Sequence, residues 1–275
     1  MRHRALLATA ALVAVATVTA QPAAAQPAGM ANPAHNASPM SMSACFAKSG
    51  LVDYGSLACT RSQLAAIDKA RAAEGLGPVV LPGWYPELSI PEQLLVVTDL
   101  ERQARGLPIF VGLSASLDAR ARRGAVAGAD PVGPAGAAWG SNWAGGYPTA
   151  LSADFGWMYD DGPGSGNLAC VPANMTGCWG HRDNILGDYG PALVMGAASV
   201  PYNGTRSMTE LFATAAPGPL AWRLPGRIGA GAGGITAPPP PATTTTTTTT
   251  TVPPHFPVHM PPPSRHPAPS TRQVG

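Results

Sequence analysis

The sequence predicts an α+β domain set between two low-complexity ends, and three observations carry that prediction. Helix start and stop signals cluster between Thr60 and Asp161. Two strand-like runs joined by Asn203-Gly204 follow them. The chain is apolar and alanine-rich at its start, and rich in proline and threonine at its end. Helices followed by an antiparallel hairpin fit α+β rather than a repeated βαβ unit.

At the start, "MRHRALLATAALVAVATVTAQPAAAQP" carries a basic n-region (Arg2, Arg4), a short apolar stretch and small residues at cleavage-compatible spacing. This is the pattern of a secretory signal peptide over residues 1–25, with cleavage after Ala20 or Ala25. No later run approaches the length of a membrane span, so no transmembrane segment is expected after cleavage. Residues 26–44 are expected to be flexible and residues 45–91 to form an N-terminal helical extension. In that extension Thr60-Arg61-Ser62-Gln63 is a capping box. Leu64, Ile67 and Ala70 to Ala72 follow on one face, and Gly75 is the stop.

A second helix starts at Ser89-Ile90-Pro91-Glu92 and closes at Gly106, with Leu94, Leu95, Val97, Thr98 and Leu100 at roughly helical period. Ser114 or Ser116 caps a third, and "TALSADFGWMYDD" makes a fourth. Asp160-Asp161 before Gly162-Pro163-Gly164 reads as a helix end and turn. "PALVMGAASV" and "RSMTELFATAA" then form a hairpin about Asn203-Gly204. Residues 224–275 are dominated by proline, threonine and glycine, a composition that cannot repay the entropy of ordering, and are expected to be disordered. Cutting the chain after Gly226 should therefore leave the melting temperature unchanged. The nine threonines Thr243 to Thr251 are suited to an extracellular linker carrying O-linked sugar.

Charge excludes one class of partner. The chain has 17 basic and 15 acidic residues, a formal +2. All the acidic residues lie between Cys45 and Pro217, whereas Arg2, Arg4, Arg223, Arg227, Arg265 and Arg272 lie outside that span. The domain itself is weakly acidic, with no basic face for a phosphate backbone, and no nucleic-acid partner is expected. Gly229, Gly231 and Gly234 match G-x-G-x-x-G. No strand leads into them and no helix follows, which removes the dinucleotide reading.

Four cysteines in an exported chain suggest disulfides, and three pairings are possible. The sequence-local one, Cys45–Cys59 and Cys170–Cys178, is expected. A zinc site competes poorly: there is no C-x-x-C, and only His181 is near. No metal and no cofactor is expected.

"DLERQARGLP", "WGSNWAGGY", "GWM", "GHRDNIL" and a strand hairpin occur in that order over about residues 92–215. This series resembles the CAP superfamily, the cysteine-rich secretory protein family, in its bacterial secreted form. Bacterial members show an N-x-x-R helix followed by Gly-Leu, a "GENIA-x-G" segment, a tryptophan-containing helix and "GHRxNIL". The resemblance implies an α-β-α sandwich over residues 92–223, with residues 45–91 as an addition outside the family core. It also implies a lipid or a sterol as partner; a cell-wall polymer is a further expected partner, and the signal peptide points to the extracellular space or the cell envelope.

The family's cleft carries two histidines and two acidic residues. His181 falls on the second histidine, but "LDARARRGAVAGADPVGPAGAA", where the first should lie, has none. Ser141 replaces the glutamate of the "GEN" segment, and Trp179 and Gly180 stand where the second glutamate belongs. "DDGPGSGNLACVPANMTGC" is inserted between Trp157 and His181. The resemblance places His181, Ser141, Asn142 and Trp157 along the cleft, with Ser141 or Asn142 opposite His181. A degenerate cleft of this kind fits a binding or envelope-associated module rather than an enzyme. The alternative is a protease-like or esterase-like hydrolase that uses His181 with Ser141 or a nearby aspartate (Asp160, Asp161 or Asp183). No residue orienting the imidazole is identifiable in the sequence. Ile185 and Leu186 are expected in the core, with Arg182 and Asp183 turned outward.

Overall fold

The backbone orders into five α-helices and a five-stranded sheet, in a computed structural model that describes residues 28–47, 49–173, 175–214, 218–225, 228 and 234–239. The helices are α1 (Leu57–Ala73), α2 (Ile90–Ala104), α3 (Ala115–Ala127), α4 (Ala150–Tyr159) and α5 (Gly180–Leu186). The strands are β1 (Gly112–Ser114), β2 (Trp139–Tyr147), β3 (Leu193–Tyr202), β4 (Thr205–Thr214) and β5 (Leu220–Arg223). The sheet order is β2-β4-β3-β1-β5. Only β1 and β3 run parallel. The proposed signal peptide lies outside the described residues.

Local chemistry explains most helix starts. In α2 the Glu92 carboxylate accepts the Ser89 backbone N–H at 2.7 Å and its hydroxyl at 2.6 Å, with Pro91 in the first turn. In α4 the Thr149 hydroxyl accepts the N–H of Ser152 at 3.1 Å. The first helix departs from expectation. Its cap is Ser56, whose Oγ accepts the Cys59 N–H, while Thr60 lies inside the helix and donates to the Ser56 carbonyl. The hairpin turns on Asn203 (φ 44°) and Gly204 (φ 75°). Both are left-handed, as a twisted two-residue connection requires.

Alternation along β3 and β4 divides the molecule into layers. Val194, Leu211 and Ala213 face α3 through Leu117, and Ala198 meets Ala121 and Ala125. Two strand hydroxyls on this face donate into α3, Ser207 to the Ala125 carbonyl and Thr209 to the Ala121 carbonyl. Met195, Ala197, Met208 and Phe212 face the other way, into the main core with α1, α2 and α4. Every residue of α4 is buried, and residues 45–91 contribute Leu64, Ile67, Leu81 and Tyr85 to the same core. Both expected disulfides, Cys45–Cys59 and Cys170–Cys178, are present, as suits an oxidising compartment. Among the described residues no helix is long and apolar enough to cross a membrane.

Both ends pack more than composition suggested. The described part of segment 26–44 is fastened to the domain. The Gly29 carbonyl accepts from Arg105 and Arg182, Ala37 N–H donates to the Tyr159 carbonyl, and Met30 and Met40 touch the core. Past Arg223, Leu224 and Ile228 are buried, and Ile235 exchanges two backbone hydrogen bonds with Leu81. The compact body extends to Pro238, so a tail beginning at residue 224 is drawn too early. Residues 240–275, including the threonine run, lie outside the described residues.

Candidate functional site

His181 is the second residue of α5, and the loop after α4 holds it through the Asp161 carboxylate. The His181 Nδ1 lies 2.6 Å from Asp161 Oδ1, and its backbone N–H donates to Asp161 Oδ2 at 2.9 Å. Asn167 Nδ2 donates to the same Oδ1 at 2.7 Å and to the Gly177 carbonyl at 2.9 Å. The Asp161 side chain is 2 % exposed and that of His181 18 %. Asp161 is thus an orienting acid, 20 residues upstream of the histidine; the sequence offers it only as one of three nearby aspartates and as part of a turn.

The loop is built for this contact. Trp179 caps α5 in the left-handed region (φ 64°), and its N–H donates to the Asp161 carbonyl at 2.9 Å. A tryptophan there costs energy that surrounding contacts must hold. Its ring lies so close to Gly162 that a Cβ at that position would fall 2.4 Å from it. The Gly162 N–H is fixed by Asn36 Oδ1 at 2.7 Å. The Cys170–Cys178 staple closes the loop one residue before Trp179.

A carboxylate on Nδ1 fixes the neutral imidazole as the Nδ1–H tautomer and leaves Nε2 as its unprotonated, hydrogen-bond-accepting nitrogen. No hydrogen bond to Nε2 is found among the described residues. Burial opposes the charged ring. The hydrogen bond and charge of Asp161, joined by the charge of Asp130, outweigh it and hold the His181 pKa above the ordinary histidine value.

The other expected site residues fall elsewhere. Ser141 pairs with Leu211, and Asn142 with Glu210, along β2 and β4. Leu211 packs against α3, so Ser141 is on the α3 face, away from α5. No hydrogen bond joins it to His181 among the described residues. Asn142 does approach His181, but as a brace: its Nδ2 donates to the His181 carbonyl at 3.1 Å, and its Oδ1 accepts from Asn184. Trp157, expected on the cleft, is 3 % exposed, with its indole N–H on the Trp143 carbonyl. It is core, not cleft wall.

Ile185 and Leu186 are buried as expected, but Arg182 is buried with them rather than turned outward. The three stand at i, i+3 and i+4, so they share one face. Arg182 is compensated by Glu74 at 2.8 Å and by the carbonyls of Met158 and Gly29. Arg102 adds a second anchor, donating to the carbonyls of Ile185 at 2.6 Å and Gly187 at 2.9 Å. The α5 position is therefore set by buried guanidinium groups, and His181 is carried on it.

Among the described residues no group of three or more His, Cys, Asp or Glu side chains is arranged to hold a metal ion. Comparison with protein-family models, curated proteins and solved structures finds no match to this chain. The functional reading therefore rests on the chain's own residues.

Proposed function

We propose that this chain is an exported, CAP-like envelope-binding module in which His181 touches the ligand. The observation that carries the reading is the His181–Asp161 pair, with Nδ1 locked and Nε2 unbonded among the described residues. The order of motifs, the layered α-β-α arrangement and the two disulfides support it. A nucleophile would have to stand at Nε2 for acyl transfer. Ser141, the hydroxyl that the resemblance offered, is on the opposite face of the sheet. Asp161 and Asp130 make the surroundings of the imidazole negative, which disfavours an anionic ligand. A hydroxyl-rich cell-wall polymer is the ligand class that suits an imidazole beside carboxylates.

A second reading has one observation in its favour. An aspartate on Nδ1 is what a general-base histidine needs to stabilise its imidazolium, so Nε2 could activate a water for hydrolysis. One experiment separates the two: co-sedimentation with insoluble cell-wall sacculi while soluble sugar release is followed. Binding is expected without release, weakened about tenfold or more by His181→Ala, as loss of a charge-assisted contact implies. Ser141→Ala should change nothing. Release that disappears in His181→Ala would establish the hydrolase, and binding indifferent to His181→Ala would remove the site from the account.

A further inference from the structure

The Cys45–Cys59 staple closes a small hairpin whose side chains are not those of an ordinary surface loop. Phe46 and Val52 form an antiparallel bridge, so their side chains share a face. Ala47 N–H donates to the Leu51 carbonyl at 2.7 Å and Asp53 N–H to the Cys45 carbonyl at 2.8 Å. Leu51 is 71 % exposed, and Phe46, Val52 and Leu57 are each about half exposed. Phe46, Leu51 and Val52 thus stand exposed on the stapled hairpin, and Leu57 is exposed at the start of α1 just beyond it. Leu57 is followed at i+4 by exposed Arg61 on the same helix face.

Two cavities, of about 460 and 240 Å³, adjoin the hairpin through Tyr54 and share Pro148 and Arg206 in their walls. Arg206 is the only charged side chain lining either one, and no Asp or Glu borders them. Its guanidinium donates to Ser199 Oγ at 3.3 Å, and no carboxylate pairs with it among the described residues. A cation with no carboxylate partner among the described residues, in cavities that reach the apolar hairpin through Tyr54, is complementary to an anion whose neighbour is a hydrocarbon surface.

We propose that the stapled hairpin is a membrane-docking tip: Phe46, Leu51, Val52 and Leu57 enter the surface of an anionic phospholipid bilayer, and Arg206 meets a headgroup phosphate beside Tyr54. Apolar side chains on a protrusion can enter the acyl boundary without opening a groove, while tyrosine and arginine suit the headgroup level. The Cys45–Cys59 disulfide closes the hairpin at its base, which lowers the ordering entropy that insertion must overcome. This surface is separate from His181, and the inference does not depend on the binding role given to that residue.

The test is flotation with vesicles, using the chain from Gln26 onward, which keeps every described residue. Vesicles of phosphatidylcholine with about 30 % phosphatidylglycerol should bind at least about tenfold more protein than phosphatidylcholine alone. Leu51→Asp with Phe46→Ser should abolish flotation, and Arg206→Gln should remove the preference for the anionic lipid. His181→Ala should float like the wild type. Circular dichroism melts confirm that the variants fold, since these side chains are exposed. The proposal is overturned if the wild type does not float, or if the tip variant floats equally well. It is overturned too if the tip variant merely turns a dimer into a monomer, which would make the hairpin a self-association surface.

Discussion

Glu210 shows how one buried residue shapes the pH behaviour of the domain. It projects from β4 into the layer shared with α2, where its Oε1 accepts the Thr98 hydroxyl at 2.7 Å and its Oε2 has no hydrogen-bond partner. Burial pushes its pKa up to about 8; the Thr98 hydroxyl and the neighbouring Asn142 amide oppose the rise, and the charge of Asp99 adds to it. A carboxyl raised in the folded state contributes its full stability below its unfolded value, and that contribution is lost as pH rises through the folded one. Stability should therefore fall between about pH 5 and about pH 8, and Glu210→Gln, which cannot ionise, should escape the fall. The gap between variant and wild type should move by roughly 3 kcal/mol in favour of the variant over that interval, at about 1.4 kcal/mol per unit. Denaturant melts at the two pH values check it, and parallel pH profiles would contradict it. His181 follows the same rule of sign: with its pKa raised, its pairing with Asp161 stabilises in acid and fades as pH climbs through that raised value.

At the scale of elements, α5 is short and depends on its anchors. Removing Arg182 leaves Glu74 without one of its two arginine partners and frees buried carbonyls, so Arg182→Ala should cost about 3–5 kcal/mol. Ile185→Ala should cost about 2–5 kcal/mol, as other large-to-small core changes do. His181→Ala, at an edge of the same helix, should cost less than either. Urea melts of the three variants would rank them, and a silent Arg182→Ala would show that α5 is held otherwise. These anchors also mark the limits of sequence reading. The Ser89–Glu92 cap, the Asn203-Gly204 turn and the apolar stripe of α2 are local signals, legible because cause and effect lie within four residues. Arg182 lies inside, against the outward position its charge suggests, because its i, i+3, i+4 spacing with Ile185 and Leu186 puts it on the buried face, where Glu74 compensates it. Asp161 cannot be singled out from Asp160 and Asp183 in the sequence, because nothing within one turn of the chain links it to a histidine 20 positions away. The inserted loop supplies that link by folding back through Trp179 and Asn167.

The whole molecule is closed by segments whose composition reads as linker. The strap from Gly29 to Met40 packs through single side chains spaced along the chain, as do Leu224, Ile228 and Ile235 among the described residues past Arg223, so windowed composition cannot detect them. Their partners, Arg105, Arg182, Tyr159 and Leu81, lie far along the chain. Ending the chain after Arg223 should therefore lower stability by about 2–4 kcal/mol through loss of buried Leu224 and Ile228. Ending it after Pro239 should leave thermal melting unchanged. Equal melting temperatures for the two truncations would restore the earlier boundary. The layered α+β core was legible because helix and hairpin signals come in sequence. The edge strand β2 and the short strands β1 and β5 were not, since their pairing is set by distant partners.

The central claim is that Asp161 locks the His181 ring and leaves Nε2 outward for a ligand. Nitrogen-15 NMR of the imidazole, titrated across the histidine range, tests it most directly. The account predicts a pKa above the ordinary histidine value, an Nδ1–H tautomer in the neutral ring, and loss of both in Asp161→Asn. A neutral ring protonated at Nε2, or a titration unmoved by Asp161→Asn, would contradict it.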